Sequence, residues 1–196
     1  MRQLKSRAKF MNSAPSTLHD MMKKNIVLIG FMGTGKTSIG KMLAAKLGCA
    51  FVDLDHKIEA DSNMTIPEIF QKYGETRFRE LEKQAVKETT ERRGIVIATG
   101  GGTIKDAENM RLLKKSGTVI CLTADVDEIL SRTESKGDRP VLDAKDKAQG
   151  DRRAAIEKLL EERRVFYDQA DYKVDTTDWS PMQIIDDICR YVDTLD

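Results

Sequence analysis

Gly30-Phe31-Met32-Gly33-Thr34-Gly35-Lys36-Thr37 has the spacing G-x-x-x-x-G-K-[ST]. At that spacing a glycine-rich turn aims backbone N–H groups at phosphate oxygens and passes directly into a helix, whose N-terminus adds partial positive charge. In such a cradle Lys36 bridges the β- and γ-phosphates of ATP, and the Thr37 hydroxyl holds Mg²⁺. A second group of residues suited to chemistry is Asp53 and Asp55, directly after the apolar pair Phe51-Val52. Their i, i+2 spacing at a strand end is expected to point both carboxylates the same way, one toward Mg²⁺ or its waters and one toward a substrate hydroxyl. Asp125 is a rival to Asp53 for the metal. Taken singly, either aspartate also reads as a helix N-cap.

Gly100-Gly101-Gly102-Thr103 closes another apolar run, Ile95 to Thr99, and its three glycines permit close backbone approach to a ligand. Arg79 and Glu82 stand at i, i+3 in a helical stretch, which by itself reads as a structural ion pair. Arg139-Pro140 and Arg163-Arg164 read, by themselves, as surface residues.

The elements that must position these groups follow from periodicity. From Lys24 onward, short β-rich runs alternate with helical segments: NIVLIG, a helix through 36–47, FVDLD, helices within 56–93, then IVIAT. A helix near 106–115, TVICL, a helix at 125–132, a polar stretch, a helix near 151–168, YKVD and a helix from Ser180 complete the chain. The alternation predicts an α/β protein with a five-stranded parallel sheet and helices on both faces. Open sheets of this kind bind ligands beyond the carboxyl ends of their strands, where the cradle, the aspartates and the glycine cluster all fall. Residues 134–149 have few apolar side chains and the length of a mobile lid.

Composition limits the alternatives. With 196 residues and 40% hydrophobic content the chain is expected to form one core, over 23–196. A formal net charge of +1 removes the case for non-specific nucleic-acid binding. No apolar run approaches the roughly 20 residues that span a bilayer. Cys49, Cys121 and Cys189 are far apart and odd in number, which supports neither a disulfide framework nor a zinc site, and a reducing cytoplasmic setting is expected. Residues 1–22 carry Arg2, Lys5, Arg7 and Lys9 with no acid before Asp20, lack the apolar core of a secretory signal, and are expected to be a disordered lead-in.

The ordered set GFMGTGKTSIG, FVDLD, IPEIFQKYGETRFRELE, IATGGGT, DRPVL, ERRVFYDQAD and VDTT resembles the shikimate kinases over essentially all of residues 24–192. The resemblance implies a P-loop kinase of the nucleoside-monophosphate-kinase type, with a small substrate-binding subdomain at about 54–93 and a lid at about 134–149. It implies that Gly33, Thr34, Gly35, Lys36, Thr37 and Ser38 hold the ATP phosphates, with Thr37 on Mg²⁺ and Asp53 near the metal. Asp55 would bond the substrate hydroxyls, and Arg79 and Arg163 would grip the shikimate carboxylate. Gly101 and Gly102 would offer backbone N–H groups, while Phe70 and Phe78 would wall the ring. Arg139 would move in with the lid and act in catalysis beside Lys36 and Asp55, and Arg132 would lie against adenine. Small molecules are then the expected partners of a monomer. A kinase of gluconate or of a nucleoside monophosphate, and a nucleotide-binding module without turnover, are the alternative readings.

Overall fold

The computed structural model describes residues 24–134 and 149–195. The strands are β1 (Asn25–Gly30), β2 (Phe51–Asp53), β3 (Val96–Ala98), β4 (Gly117–Thr123) and β5 (Tyr172–Asp175). The helices are α1 (Lys36–Leu47), α2 (Leu54–Ser62), α3 (Ile66–Thr90), α4 (Ala107–Ser116), α5 (Val126–Glu134), α6 (Gln149–Tyr167) and α7 (Pro181–Asp193), with a 3₁₀ turn at Thr103–Lys105. All strand pairings are parallel, and the sheet order is β2-β3-β1-β4-β5. This is the five-stranded parallel sheet that the alternating pattern predicts.

β1 occupies the centre because its residues are apolar on both faces. Ile26 and Leu28 face a cluster with Ile39, Leu43 and Leu47 of α1 and Ile184, Ile185 and Ile188 of α7. Val27 and Ile29 face the opposite cluster, which holds Leu54 and Ile58 of α2, Val86 of α3, Leu113 of α4, Ile129 of α5 and Ile156 of α6. The period of two along the strand thus separates the two helical layers. The loop leaving β1 and the loop leaving β3 emerge side by side from paired strands, on the carboxyl edge of the sheet.

Local sequence explains most boundaries. Thr65 and Glu68 form a capping box at the start of α3, with Pro67 in its first turn, and Ser180 with Gln183 does the same for α7, with Pro181 as its first residue. α3 is broken at Gly74, whose φ of 78° and ψ of 177° lie outside the helical region, so the element is two helices joined at a sharp bend. β3 spans three residues where the apolar run predicts five, and just beyond its end Thr99 donates its N–H and hydroxyl to the Leu28 carbonyl. The expected lid begins and ends in helix: residue 134 closes α5 and residue 149 opens α6. The lead-in at 1–22 and the rest of the lid lie outside the described residues. Among the described residues no helix is long and apolar enough to cross a membrane, and all three cysteines are free thiols.

Candidate active site

The loop after β1 wraps around the Lys36 ammonium, which donates to the Gly30 and Phe31 carbonyls at 2.8 Å each and is largely buried. Gly35 precedes α1 with φ of 93°, so the chain turns sharply and presents the helix N-terminus to the mouth of the loop. Thr34, 1% exposed, ties its hydroxyl to the Phe31 carbonyl at 2.8 Å, while Ser38 is exposed one residue beyond Thr37. Gly33 packs on α5: a methyl group built on it would lie 3.0 Å from Thr133. Arg132 of α5 donates to the Gly33 carbonyl at 3.5 Å, to the Thr176 hydroxyl at 3.0 Å and to the Thr176 carbonyl at 2.9 Å. Together with its Glu128 ion pair at 2.8 Å, these bonds fix Arg132 between the P-loop and the segment after β5.

The two aspartates correct one expectation. Asp53 ends β2 and caps α2, its Oδ1 accepting from the backbone N–H groups of Asp55 and His56, while its Oδ2 accepts the Thr37 hydroxyl at 2.7 Å. Asp55 already belongs to the first turn of α2, so strand alternation does not govern it and the two carboxylates meet different neighbours. Asp55 turns instead to the loop after β3, where a methyl built on Gly100 would lie 2.5 Å from its Oδ1. That approach requires glycine. Asp125, the rival for the metal, caps α5 by accepting from Glu128 N–H at 2.9 Å.

Two arginines converge on the next two glycines. Nη1 of Arg163 donates to the Gly101 carbonyl at 3.1 Å, and the guanidinium stands 5.3 Å from the Phe31 ring centre. A methyl built on Gly102 would lie 3.1 Å from Nη1 of Arg79. Arg79 is held by Glu82 at 2.9 Å and Glu75 at 3.2 Å. Burial pulls its pKa down, but these two carboxylates outweigh that and leave it above the ordinary arginine value. Glu82 is 2% exposed and also accepts the Thr103 hydroxyl at 2.7 Å, which links α3 to the glycine loop. The rings of Phe70 and Phe78 pack at 4.7 Å across the Gly74 bend, with the Arg79 guanidinium 5.2 Å from Phe78.

The sequence reading of Arg79 and Glu82 as an ion pair was therefore right as far as it went. It missed the Thr103 partner, because a contact across 21 residues leaves no local signal. The Arg163-Arg164 pair splits: Arg163 is 8% exposed, whereas Arg164 points outward to Glu161 at 3.8 Å. Arg139 lies outside the described residues.

The arrangement sets a glycine-rich loop around Lys36, with the Thr37 hydroxyl and the Asp53 carboxylate beside it, and gathers one carboxylate and two guanidiniums on the glycine loop after β3, Phe31 of the first loop lying against Arg163 of the second group. The family model for shikimate kinase matches residues 32–193. The chain belongs to the shikimate kinase family. It is 44% identical over 172 residues to the shikimate kinase of Thermodesulfovibrio yellowstonii, covering 88% of this chain and 96% of that one. It is 41% identical over 181 residues to the enzyme of Geobacter metallireducens, covering 92% and 96%. Among solved structures, shikimate kinase from Acinetobacter baumannii in complex with shikimate superposes with a TM-score of 0.84 at 36% identity, over 93% of this chain and 99% of that one. A gluconokinase from Sinorhizobium meliloti, 14% identical with a TM-score of 0.54, shares the fold. Membership of the family makes this shikimate kinase homologue an enzyme, a kinase with an alcohol acceptor.

Proposed function

We propose that the protein transfers the γ-phosphoryl group of ATP to the 3-hydroxyl of shikimate, giving shikimate 3-phosphate and ADP. The observation that carries this reading is the convergence of Asp55, Arg163 and Arg79 on Gly100, Gly101 and Gly102 in turn. A ring bearing one carboxylate and three hydroxyls needs that combination: guanidiniums for the carboxylate, and a carboxylate with backbone N–H groups for the hydroxyls. A nucleoside monophosphate presents a phosphate and a base instead, and gluconate carries its single carboxylate on an open chain of different outline. Residues 54–93 would serve as the acceptor-binding subdomain and about 134–149 as the lid.

Lys36 would exchange its two carbonyl partners for phosphate oxygens of ATP, and the backbone from Gly33 to Ser38 would hold the remainder. Arg132 would lie against the adenine, held there by Thr176. Thr37 Oγ1 and Asp53 Oδ2, 2.7 Å apart, are hard oxygen donors of the kind Mg²⁺ selects, and the pair would hold that ion directly or through its waters. Mg²⁺ there would neutralise charge on the phosphates of bound ATP. Phosphoryl transfer passes through a loose transition state, so the residues act mainly by alignment and charge neutralisation. Asp55 would orient the attacking hydroxyl and take its proton late, because an aspartate is far less basic than an alkoxide. Arg139 is assigned to the phosphates on the family resemblance.

ADP release from Mg·ATP, measured separately with shikimate, gluconate, AMP and no acceptor, tests the proposal. Turnover with shikimate alone is expected. Turnover with AMP would keep the phosphate cradle and remove the carboxylate clamp, turnover with gluconate would keep both and remove shikimate as the acceptor, and ATP binding without turnover would make the protein a nucleotide-binding module.

A further inference from the structure

Tyr167 stands four residues beyond Arg163 on α6, on the same helix face. Its side chain is part of the core and 7% exposed, yet its hydroxyl is buried without a well-formed hydrogen bond among the described residues, the Arg163 guanidinium standing beside it as its polar neighbour. Burial pushes the phenol up to about 12, with Arg163 beside it pulling the other way. It is therefore a neutral O–H at physiological pH. Buried hydroxyls are nearly always bonded, and one left unmet lowers stability. Its neighbour Arg163 is equally confined: it donates to the Gly101 carbonyl, its guanidinium stands against the Phe31 ring and beside the Tyr167 hydroxyl, and among the described residues no carboxylate pairs with it.

An arginine that donates to a backbone carbonyl must give up or share that bond when an acceptor carboxylate arrives. We infer that Tyr167 is a positioning residue whose hydroxyl oxygen receives an N–H of Arg163 as that guanidinium turns from the Gly101 carbonyl to the acceptor's carboxylate. The phenol then holds the guanidinium by a hydrogen bond while the Phe31 ring packs against it. The unmet hydroxyl is a cost carried by the free enzyme and relieved in the complex, so it contributes to acceptor binding without touching the acceptor. This inference rests on the proposed carboxylate-bearing acceptor.

Tyr167→Phe keeps the ring and removes the oxygen. Measured on the full-length protein, its unliganded Tm should rise by about 1–4 °C, because an unsatisfied polar group leaves the core. Its KM for shikimate should rise about three- to tenfold, with kcat and KM for ATP within about twofold of wild type. In an Arg163→Lys background, the same substitution should leave KM for shikimate unchanged, since the hydroxyl acts through the guanidinium. A purely structural tyrosine predicts the reverse: a lower Tm, with both KM values drifting together. That result overturns the inference, as does an unchanged KM for shikimate in Tyr167→Phe or an equal effect in the Arg163→Lys background. Wild-type enzyme that turns over shikimate while Tyr167→Phe matches it loses this inference alone, whereas wild-type enzyme silent with shikimate loses the functional proposal and the inference together.

Discussion

The proposed phosphate end and the proposed acceptor end of the site are built in different ways. At the phosphate end, one loop of consecutive residues between β1 and α1 encloses Lys36, and the bonds that close it on itself, from Lys36 to Gly30 and Phe31 and from Thr34 to Phe31, span six residues or fewer, with Arg132 to Gly33 and Thr37 to Asp53 added from outside. At the acceptor end, Asp55, Arg79, Gly100 to Gly102 and Arg163 come from four separate segments. They are tied by bonds such as Thr103 to Glu82 and Arg163 to Gly101, the second across 62 residues. A loop closed locally loses little entropy when it orders, whereas a site gathered from distant segments depends on the sheet and helices being in place first. The acceptor end can therefore be changed piece by piece while the phosphate end stays intact, and substitutions there should separate acceptor kinetics from ATP kinetics.

The largest effect expected from that separation is at Asp55. Asp55→Asn should lower kcat by about 10²–10⁴-fold, with KM for ATP close to wild type. Steady-state assays at varied ATP and shikimate check it, and a parallel loss of ATP affinity would mean that the two ends are not separable. Arg79→Ala should come next. Charge-assisted bonds are worth about 1.5–3 kcal/mol, so KM for shikimate should rise roughly ten- to a hundredfold. An unaltered KM would place the acceptor's carboxylate elsewhere.

Legibility in the sequence follows the same division. The P-loop, the five strands and the helix from Ser180 were readable because their causes are local: a fixed motif, short β-rich runs, and a Ser ahead of a helical stretch. The acceptor site was readable only as a resemblance, since nothing in the spacing of residues 79, 102 and 163 says that they meet. The strand-end argument for Asp55 failed because β2 gives way to α2 at residue 54, a boundary that Asp53 itself sets by capping. Tyr167 passed unnoticed within ERRVFYDQAD, where its spacing from Arg163 is visible but its burial is not.

The Gly74 bend sharpens the comparison further, because it belongs to the acceptor end alone. Its φ of 78° with ψ of 177° is open essentially only to glycine, and a methyl group there would meet nothing within 4 Å. Gly74→Ala therefore tests conformation without steric conflict. A loss of about 1–3 kcal/mol in stability is expected, since the alanine must either bear the strain or straighten the bend. Straightening would shift Phe70 relative to Phe78 and Arg79, so KM for shikimate should rise a few-fold at constant KM for ATP. Chemical denaturation and the same kinetic assays read both quantities, and unchanged stability with unchanged kinetics would show that the bend is incidental.

The smallest expected effect asks whether the acceptor end depends on its local supports or on its long-range ties. Asp106 caps α4 by accepting from the N–H groups of Glu108 and Asn109, and it pairs with Lys83 at 2.8 Å. Asn109 in turn donates to the Thr103 carbonyl at 3.1 Å, so this cap stands beneath the glycine loop. The Lys83 bond, ahead of the opposing effect of burial, holds the Asp106 carboxyl below its ordinary value. A carboxyl depressed in the folded state contributes stability that is present above its unfolded pKa, near 3.9, and is lost as pH falls through the lower folded value. Asp106→Ala should thus cost about 1 kcal/mol at neutral pH, typical of a lost cap, and the difference from wild type should shrink in acid below about pH 4. Denaturation at pH 7 and pH 3 measures both. KM for shikimate should remain within about twofold of wild type, because Glu82 still binds Thr103 from α3 and Arg163 still binds Gly101 from α6. A larger rise would mean that the loop's position is set by the helix beneath it, and the long-range ties would then follow the loop instead of placing it.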